Sequence, residues 1–218
     1  MIVHELRGPL STMSNLLEVY RAAPSLVTPS REMLTRQVRK ALRLVEDLLD
    51  VSRLAGEAPA LATAPVDLSQ VVKDTVEDVG YEIHKRQQTL TLTLPAETIW
   101  VQGDGMRMGQ IVANLLENSS KYSGTGAQIV LRLLRDGTRA VLRVRDNGAG
   151  IRPEDLPHIF DPYYRGSHSP GSASGLGLGL TLTRRLVQLH GGMIEAKSDG
   201  AGYGCEFTIM LPALAEAD

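Results

Sequence analysis

Leu6, Leu10, Met13, Leu17 and Tyr20 recur at alternating spacings of four and three, which predicts a helix over residues 4–22 with a coiled-coil-like seam. Ala22-Ala23-Pro24-Ser25 breaks the pattern, and Thr28 followed by Pro29 supplies an N-cap and a first helical position. The alternation resumes at Leu34, Val38, Ala41, Val45 and Leu48, so a second helix is expected to about Leu54. Leu42, Leu44, Leu49 and Val51 widen its apolar stripe beyond what one partner helix covers. Such an αα-hairpin leaves apolar surface wet, and pairing two of them into a four-helix bundle buries it.

Residues 55–66 are rich in Ala and Pro and lack periodicity, which marks a linker and a domain boundary. The expected division is 1–56 for the hairpin, 57–66 for the linker and 67–218 for a second domain. Asp67 is placed to cap a helix with Leu68, Val71, Val72, Val76, Val79 and Ile83 inward. Strands are expected at Thr89–Leu94 and Ile99–Val101, followed by a helix capped by Asp104 with Met108, Ile111, Val112, Leu115 and Leu116 inward. Ile129–Leu134 and Ala140–Val144 flank Asp136-Gly137, a strong hairpin signal. A long Gly/Pro/Ser-rich stretch over 147–175 is of the kind that carries function. A helix is expected over Leu176–His190, stopped by Gly191-Gly192. Met193–Lys197 and Tyr203–Leu211 close the chain as a hairpin, with Tyr203, Cys205, Phe207, Ile209 and Leu211 alternating inward.

Composition narrows the field. The net charge of −2 over 218 residues is not the basic balance of an electrostatic nucleic-acid binder. No apolar run approaches the ~20 residues of a membrane span, and the opening residues do not read as a signal peptide. Cys205 is the only cysteine, so no intramolecular disulfide and no thiolate metal site is expected, and the chain reads as cytoplasmic.

Four segments carry candidate chemistry. In His4-Glu5-Leu6-Arg7-Gly8-Pro9-Leu10, His4 lies roughly 160° from the seam and faces water. Pro9 bends the helix just beyond it, and the carboxylate of Glu5 is its neighbour. On position alone this is a surface histidine; an interior proline is the reason to look further. Asn114, Asn118 and Lys121 share one helix face at spacings of four and three. Amide oxygens suit Mg²⁺, and a lysine meets phosphate as a point charge; the plain alternative is a polar outer face. Asp146-Asn147-Gly148-Ala149-Gly150-Ile151 follows a strand, where an aspartate can accept from an exocyclic amine and two glycines admit close backbone approach. Gly175-Leu176-Gly177-Leu178-Gly179 opens a helix whose free amides suit an anion. Glycines there cost ~1 kcal/mol each against alanine, so packing or a ligand must retain them. The pattern is neither a P-loop nor a dinucleotide fingerprint. Together the segments of the second domain suit a nucleotide with Mg²⁺.

In this combination the chain resembles the catalytic core of a two-component sensor histidine kinase. His4–Leu10 resembles the H-box, Asn114–Ser123 the N-box, Asp146–Ile151 the G1 box and Ile159–Arg165 the F-box. Gly175–Gly179 resembles the G2 box, and Gly202-Tyr203-Gly204-Cys205-Glu206-Phe207 the last glycine motif. The resemblance spans essentially the whole chain, in family order.

The resemblance implies an α+β protein: a helical hairpin dimerising into a four-helix bundle, then an α/β sandwich with a mixed five-stranded sheet faced by three helices. His4 would be the phosphoacceptor and Glu5 its general base. Asn118 would hold Mg²⁺ with Asn114 assisting. Lys121 and Arg165 would contact phosphates, Tyr164 would be a further cofactor contact, Tyr122 would pack on adenine, and Asp146 would accept from its amino group. Gly148, Gly150, Ile151, Leu176 and Leu178 would also be cofactor-binding, residues 161–175 would form an ATP lid, and Gly175, Gly177 and Gly179 would let backbone reach the phosphates. The implied ligands are ATP and Mg²⁺. The implied partners are a second copy of the chain and a response-regulator receiver domain, with neither nucleic acid nor direct membrane contact. The family's first helix usually continues N-terminally into a sensor, which in a longer protein can be membrane-anchored; here three residues precede His4, so its turn is expected to fray.

One departure bears on activity. The family usually has Thr or Asn four residues after the histidine, positioning water for regulator dephosphorylation; Gly8 stands there, so weak or absent phosphatase activity is expected. The related gyrase and chaperone ATPases place a water-activating Glu where this chain has Asn114. A degenerate core serving as a regulator-binding scaffold is the alternative. His190 reads as a helix C-terminal residue favoured by the helix dipole, and His84, His158 and His168 show no ligand spacing. Phe160 and Trp100 read as packing residues.

Overall fold

A computed structural model describes Thr12, Val38, residues 61–166 and residues 176–215. Thr12 and Val38 are both helical; the rest of the hairpin reading lies outside the described residues. The chain divides into two compact units, residues 1–59 with 174–178 and residues 60–173 with 179–218. All the elements below belong to the second.

Strand β1 (Ala64–Asp67) leads into helix α1 (Leu68–Lys85). Asp67 caps the helix as its sequence predicts, its carboxylate accepting the Gln70 N–H at 3.0 Å. Then come β2 (Thr89–Thr93), β3 (Trp100–Gly103) and helix α2 (Gly105–Tyr122). Asp104 caps α2, accepting from the Met106 and Arg107 amides at 3.1 and 3.2 Å. β4 (Gln128–Asp136) and β5 (Arg139–Asp146) form the hairpin turned at Gly137, whose φ is +57°. A 3₁₀ turn (Leu156–His158), helix α3 (Gly179–Leu189), β6 (Met193–Lys197) and β7 (Cys205–Pro212) complete the unit.

The main sheet has five strands in the order β2-β4-β5-β7-β6. It is mixed: β2 runs parallel to β4, and the other pairs are antiparallel. Alternation places Ile129, Leu131 and Leu133 of β4, Leu142 and Val144 of β5, and Phe207, Ile209 and Leu211 of β7 on one face. They form a continuous core with Leu68, Val72 and Ile83 of α1, Met108, Ile111, Val112, Leu115 and Leu116 of α2, and Leu182, Leu186 and Val187 of α3. Three helices therefore cover one face, as expected. The opposite face carries exposed arginines at 132, 143 and 145.

Four readings of local structure are corrected. Ala64–Val66, assigned to the linker, pairs antiparallel with β3 in a separate two-stranded sheet; four residues with one proline show too little alternation to read as a strand. β3 runs to Gly103 rather than stopping at Val101. The last helix begins at Gly179, because Gly177 adopts a left-handed φ of +70° that no helix accommodates. Tyr203 is 74% exposed, since the strand starts only at Cys205 and the residues before it form a glycine turn.

Candidate functional site

α2 carries Asn114, Asn118 and Lys121 on one face, and the four-three spacing holds because the helix is uninterrupted to Tyr122. Asn114 faces the start of α3. Its Nδ2 lies 3.4 Å from Thr183 Oγ1, and a Cβ added at Gly179 would sit 4.0 Å from its amide carbon. Thr183 in turn donates to the Gly179 carbonyl at 2.8 Å. Lys121 Nζ stands 4.9 Å from the centre of the Tyr122 ring, a cation–π distance.

Asp146 ends β5 and is 4% exposed. Both carboxylate oxygens are engaged: Oδ1 accepts the Gly148 N–H at 3.0 Å, and Oδ2 accepts the Cys205 thiol at 3.0 Å. Each oxygen keeps lone-pair capacity, so the group is oriented yet able to accept from an amino donor. Burial pushes the Cys205 thiol strongly upward, and the adjacent Asp146 charge and hydrogen bond add to it, so the sulfur stays protonated.

The loop after Asp146 is laid against the last turn of α2. The Ala149 N–H donates to the Tyr122 carbonyl at 3.0 Å. Gly148 packs so closely that a Cβ would meet Ser123 Oγ at 2.4 Å and the Tyr122 carbonyl at 2.7 Å. The same loop interlocks with residues 198–204. Gly202 N–H donates to Ala149 O at 2.7 Å, Gly204 N–H to Gly148 O at 3.2 Å, and Ile151 N–H to Ser198 Oγ at 2.9 Å. Gly150 (φ +67°) and Gly204 (φ +71°) both need the left-handed region, and each would drive a Cβ to 2.0 Å from a backbone oxygen. The G1-like and last glycine motifs are thus one structural unit.

The F-box-like segment anchors beside it. Phe160 meets Phe207 of β7 edge-to-face at 6.4 Å and lies under Arg184 of α3 at 5.8 Å, confirming a packing role. Tyr164 donates to Asp155 Oδ1 at 2.5 Å, and this bond to a carboxylate raises the phenol pKa. Arg165 is exposed. Trp100, read as packing, is 43% exposed on β3.

The structure therefore brings Asn114, Asn118, Lys121, Tyr122, Asp146, Gly148, Gly150, Ile151 and Gly179 onto contiguous elements of one unit. Leu176, Gly177 and Leu178 group with the other compact unit. His4, Glu5, Gly8 and Gly175 lie outside the described residues.

The roles of two residues escaped sequence reasoning. His190 directly follows the end of α3, the helix-terminal place read for it, and is buried there. Its Nδ1–H donates to Leu186 O at 2.7 Å, and its Nε2 accepts the Asp104 N–H at 3.0 Å. Through these two bonds it pins α3 to the N-cap of α2. Gln88, buried before β2, caps the other end of α2. Neither had a periodic signal.

Among the described residues no cluster of three or more His, Cys, Asp or Glu could hold a metal ion. A Mg²⁺ at this site would draw on amide oxygens of α2 and on substrate phosphates, the donor set that ion prefers. No helix among the described residues is long and apolar enough to cross a membrane.

Comparison with known proteins places these elements. The profile described as histidine kinase-, DNA gyrase B- and HSP90-like ATPase matches residues 103–215, and the His Kinase A (phospho-acceptor) domain matches residues 1–57. The chain is 32% identical to the sensor protein ChvG of Agrobacterium fabrum over 97% of its own length and 38% of that protein's. It thus spans less than half of that curated relative. It is similar to the solved full-length ShkA in complex with AMPPNP, with a TM-score of 0.72 and 25% identity, over 99% of this chain and 45% of that one. It shares its fold with histidine kinase ThkA in complex with the response regulator TrrA, with a TM-score of 0.67 and 18% identity, over 100% of this chain and 61% of that one.

Proposed function

Because the chain belongs to the histidine kinase-, DNA gyrase B- and HSP90-like ATPase family and carries a phospho-acceptor domain ahead of it, with the make-up of a two-component sensor histidine kinase core, we propose that it phosphorylates His4 from Mg-ATP. It then passes the phosphoryl group to an aspartate of a response-regulator receiver domain. The observation that carries this reading is the oriented carboxylate of Asp146, followed by interlocked glycine loops that bond to the last turn of α2, the helix that carries Asn114, Asn118 and Lys121.

Each residue has a chemical task. Asp146 accepts from the adenine amino group, and a base lacking that donor leaves a buried carboxylate facing an acceptor. Gly148, Gly150 and Ile151 keep that edge free of side chains, and Tyr122 packs on the base. Lys121 and Arg165 offset phosphate charge, and Tyr164 stands on the same segment as Arg165 as a further nucleotide contact. Asn118, with Asn114, would supply oxygens to Mg²⁺, which would offset charge on the substrate phosphates. Gly175, Leu176, Gly177, Leu178 and Gly179 bring backbone amides to the phosphates at the start of α3.

A ring nitrogen of His4 attacks the γ-phosphorus as the bond to the β,γ-bridging oxygen breaks and ADP leaves. Glu5 takes the proton from the other ring nitrogen. The hairpin of residues 1–56 forms the homodimer, residues 57–66 link it, and residues 67–218 bind nucleotide. A cytoplasmic location for this part, under an N-terminal sensor in a longer and membrane-anchored protein, is consistent with relatives more than twice its length.

Calorimetry tests the nucleotide half. Mg-ATP binds the parent well above Mg-GTP, and Asp146→Asn erases the preference; equal affinity for both in the parent contradicts the assignment. Label from γ-labelled ATP should then leave the chain for a receiver domain. A regulator-binding scaffold would bind the receiver and transfer nothing.

A further inference from the structure

We propose that Gln88 is a positioning residue of the nucleotide site, holding the last turn of α2 and through it the loop that follows Asp146. The inference rests on the nucleotide reading above, but its structural half is tested separately.

A helix ends with four carbonyls lacking intrahelical partners. α2 has no left-handed glycine to close them: Ser123 leaves the helix in extended conformation, at φ −105° and ψ 146°. Gln88 does so from 32 to 36 residues away, joined at the Ser120 carbonyl by Arg86 Nη1 at 3.1 Å. Its Nε2 reaches the carbonyls of Ser120, Ser123 and Gly124 at 2.9, 3.0 and 3.2 Å, and Ser120 Oγ donates to its Oε1 at 2.7 Å. Two N–H donors for three acceptors means one is shared. The side chain is 3% exposed, so no water replaces these bonds when they are lost. Gln87, just before it, adopts a left-handed φ of +58°, unusual for a residue with a side chain.

What this turn carries makes the cap functional. Tyr122 and Ser123 lie within the capped turn, and they are the residues against which Ala149 bonds and Gly148 packs. Lys121 lies on the same turn. A shift of the turn therefore moves Lys121, Tyr122 and the glycines after Asp146 together, though Gln88 itself belongs to none of the glycine or asparagine motifs.

The test uses the full chain with Gln88→Met, which keeps the shape and removes every donor, and Gln88→Glu, which keeps the acceptor for Ser120 alone. Leu133→Ala, in the core of β4, is the stability control. Amide hydrogen exchange and Mg-ATP affinity are measured well below each variant's Tm. Both Gln88 variants should raise the Kd for Mg-ATP about tenfold and speed exchange at Ala149, while leaving β4–β5 amides unchanged. The control should lower Tm with Kd held within about twofold. Where Gln88→Met does not fold, Gln88→Glu decides. Loss of Tm with unchanged Ala149 exchange and unchanged Kd overturns the proposal, leaving Gln88 a stabilising cap. Failure of the parent to bind Mg-ATP instead sinks the nucleotide reading, and Ala149 exchange still decides whether Gln88 holds the loop.

Discussion

Cys205 faces Asp146 directly across the β5–β7 ladder, and its thiol donates to the carboxylate Oδ2 at 3.0 Å. The sulfur is thus a donor that orients the Asp146 carboxylate, and its raised pKa removes it as a nucleophile. Cys205→Ser should keep ATP affinity within about threefold, and Cys205→Val should weaken it about tenfold by leaving Oδ2 unpaired. In the nucleotide-free protein the thiol should react with a disulfide reagent far more slowly than a free cysteine, even above pH 9.0. The folded state holds this proton longer than the unfolded chain. Its contribution to stability is therefore complete below pH 9.0 and is lost as pH rises beyond it. Fast labelling of the native protein at neutral pH would contradict this.

Gly150 and Gly204 lock two loops together, and neither has room for a methyl group. Gly150→Ala and Gly204→Ala should each cost more than ~2 kcal/mol in urea denaturation. Gly137 shares the left-handed φ but has nothing within 4 Å of its would-be Cβ, so Gly137→Ala should cost only ~1–2 kcal/mol. Equal costs at the three positions would mean that close approach is not what retains the first two.

His190 ties the end of α3 to the start of α2 with two hydrogen bonds through one buried ring. His190→Leu leaves the Asp104 N–H without its acceptor and should destabilise the unit by ~1–3 kcal/mol. An unchanged urea midpoint would show that the amide finds another partner.

Gly8 supplies no side chain to position water for regulator dephosphorylation. The parent should show little phosphatase activity toward a phosphorylated receiver domain, and Gly8→Thr should raise it. No gain in Gly8→Thr would remove the support for that account.

The motifs of the candidate site were legible in the sequence because glycines, asparagines and an aspartate at a strand end are local signals. Asp67 and Asp104 were legible as caps for the same reason. What joins the motifs was not. The bonds from Gly202 and Gly204 to the Asp146 loop span more than 50 residues and depend on β5–β7 register. Gln88 and His190 look like surface residues in sequence, since polarity predicts exposure and only the fold shows the orphaned backbone groups they satisfy. Tyr203 erred the other way: alternation with Cys205 and Phe207 suggested burial, but the glycine turn ends the strand first.

The central claim is tested most directly by intact mass after incubation with Mg-ATP, repeated after acid treatment and in His4→Ala. The account predicts the gain of one phosphoryl group, lost in acid and never acquired by the variant. An acid-stable gain, or the same gain in His4→Ala, would contradict it.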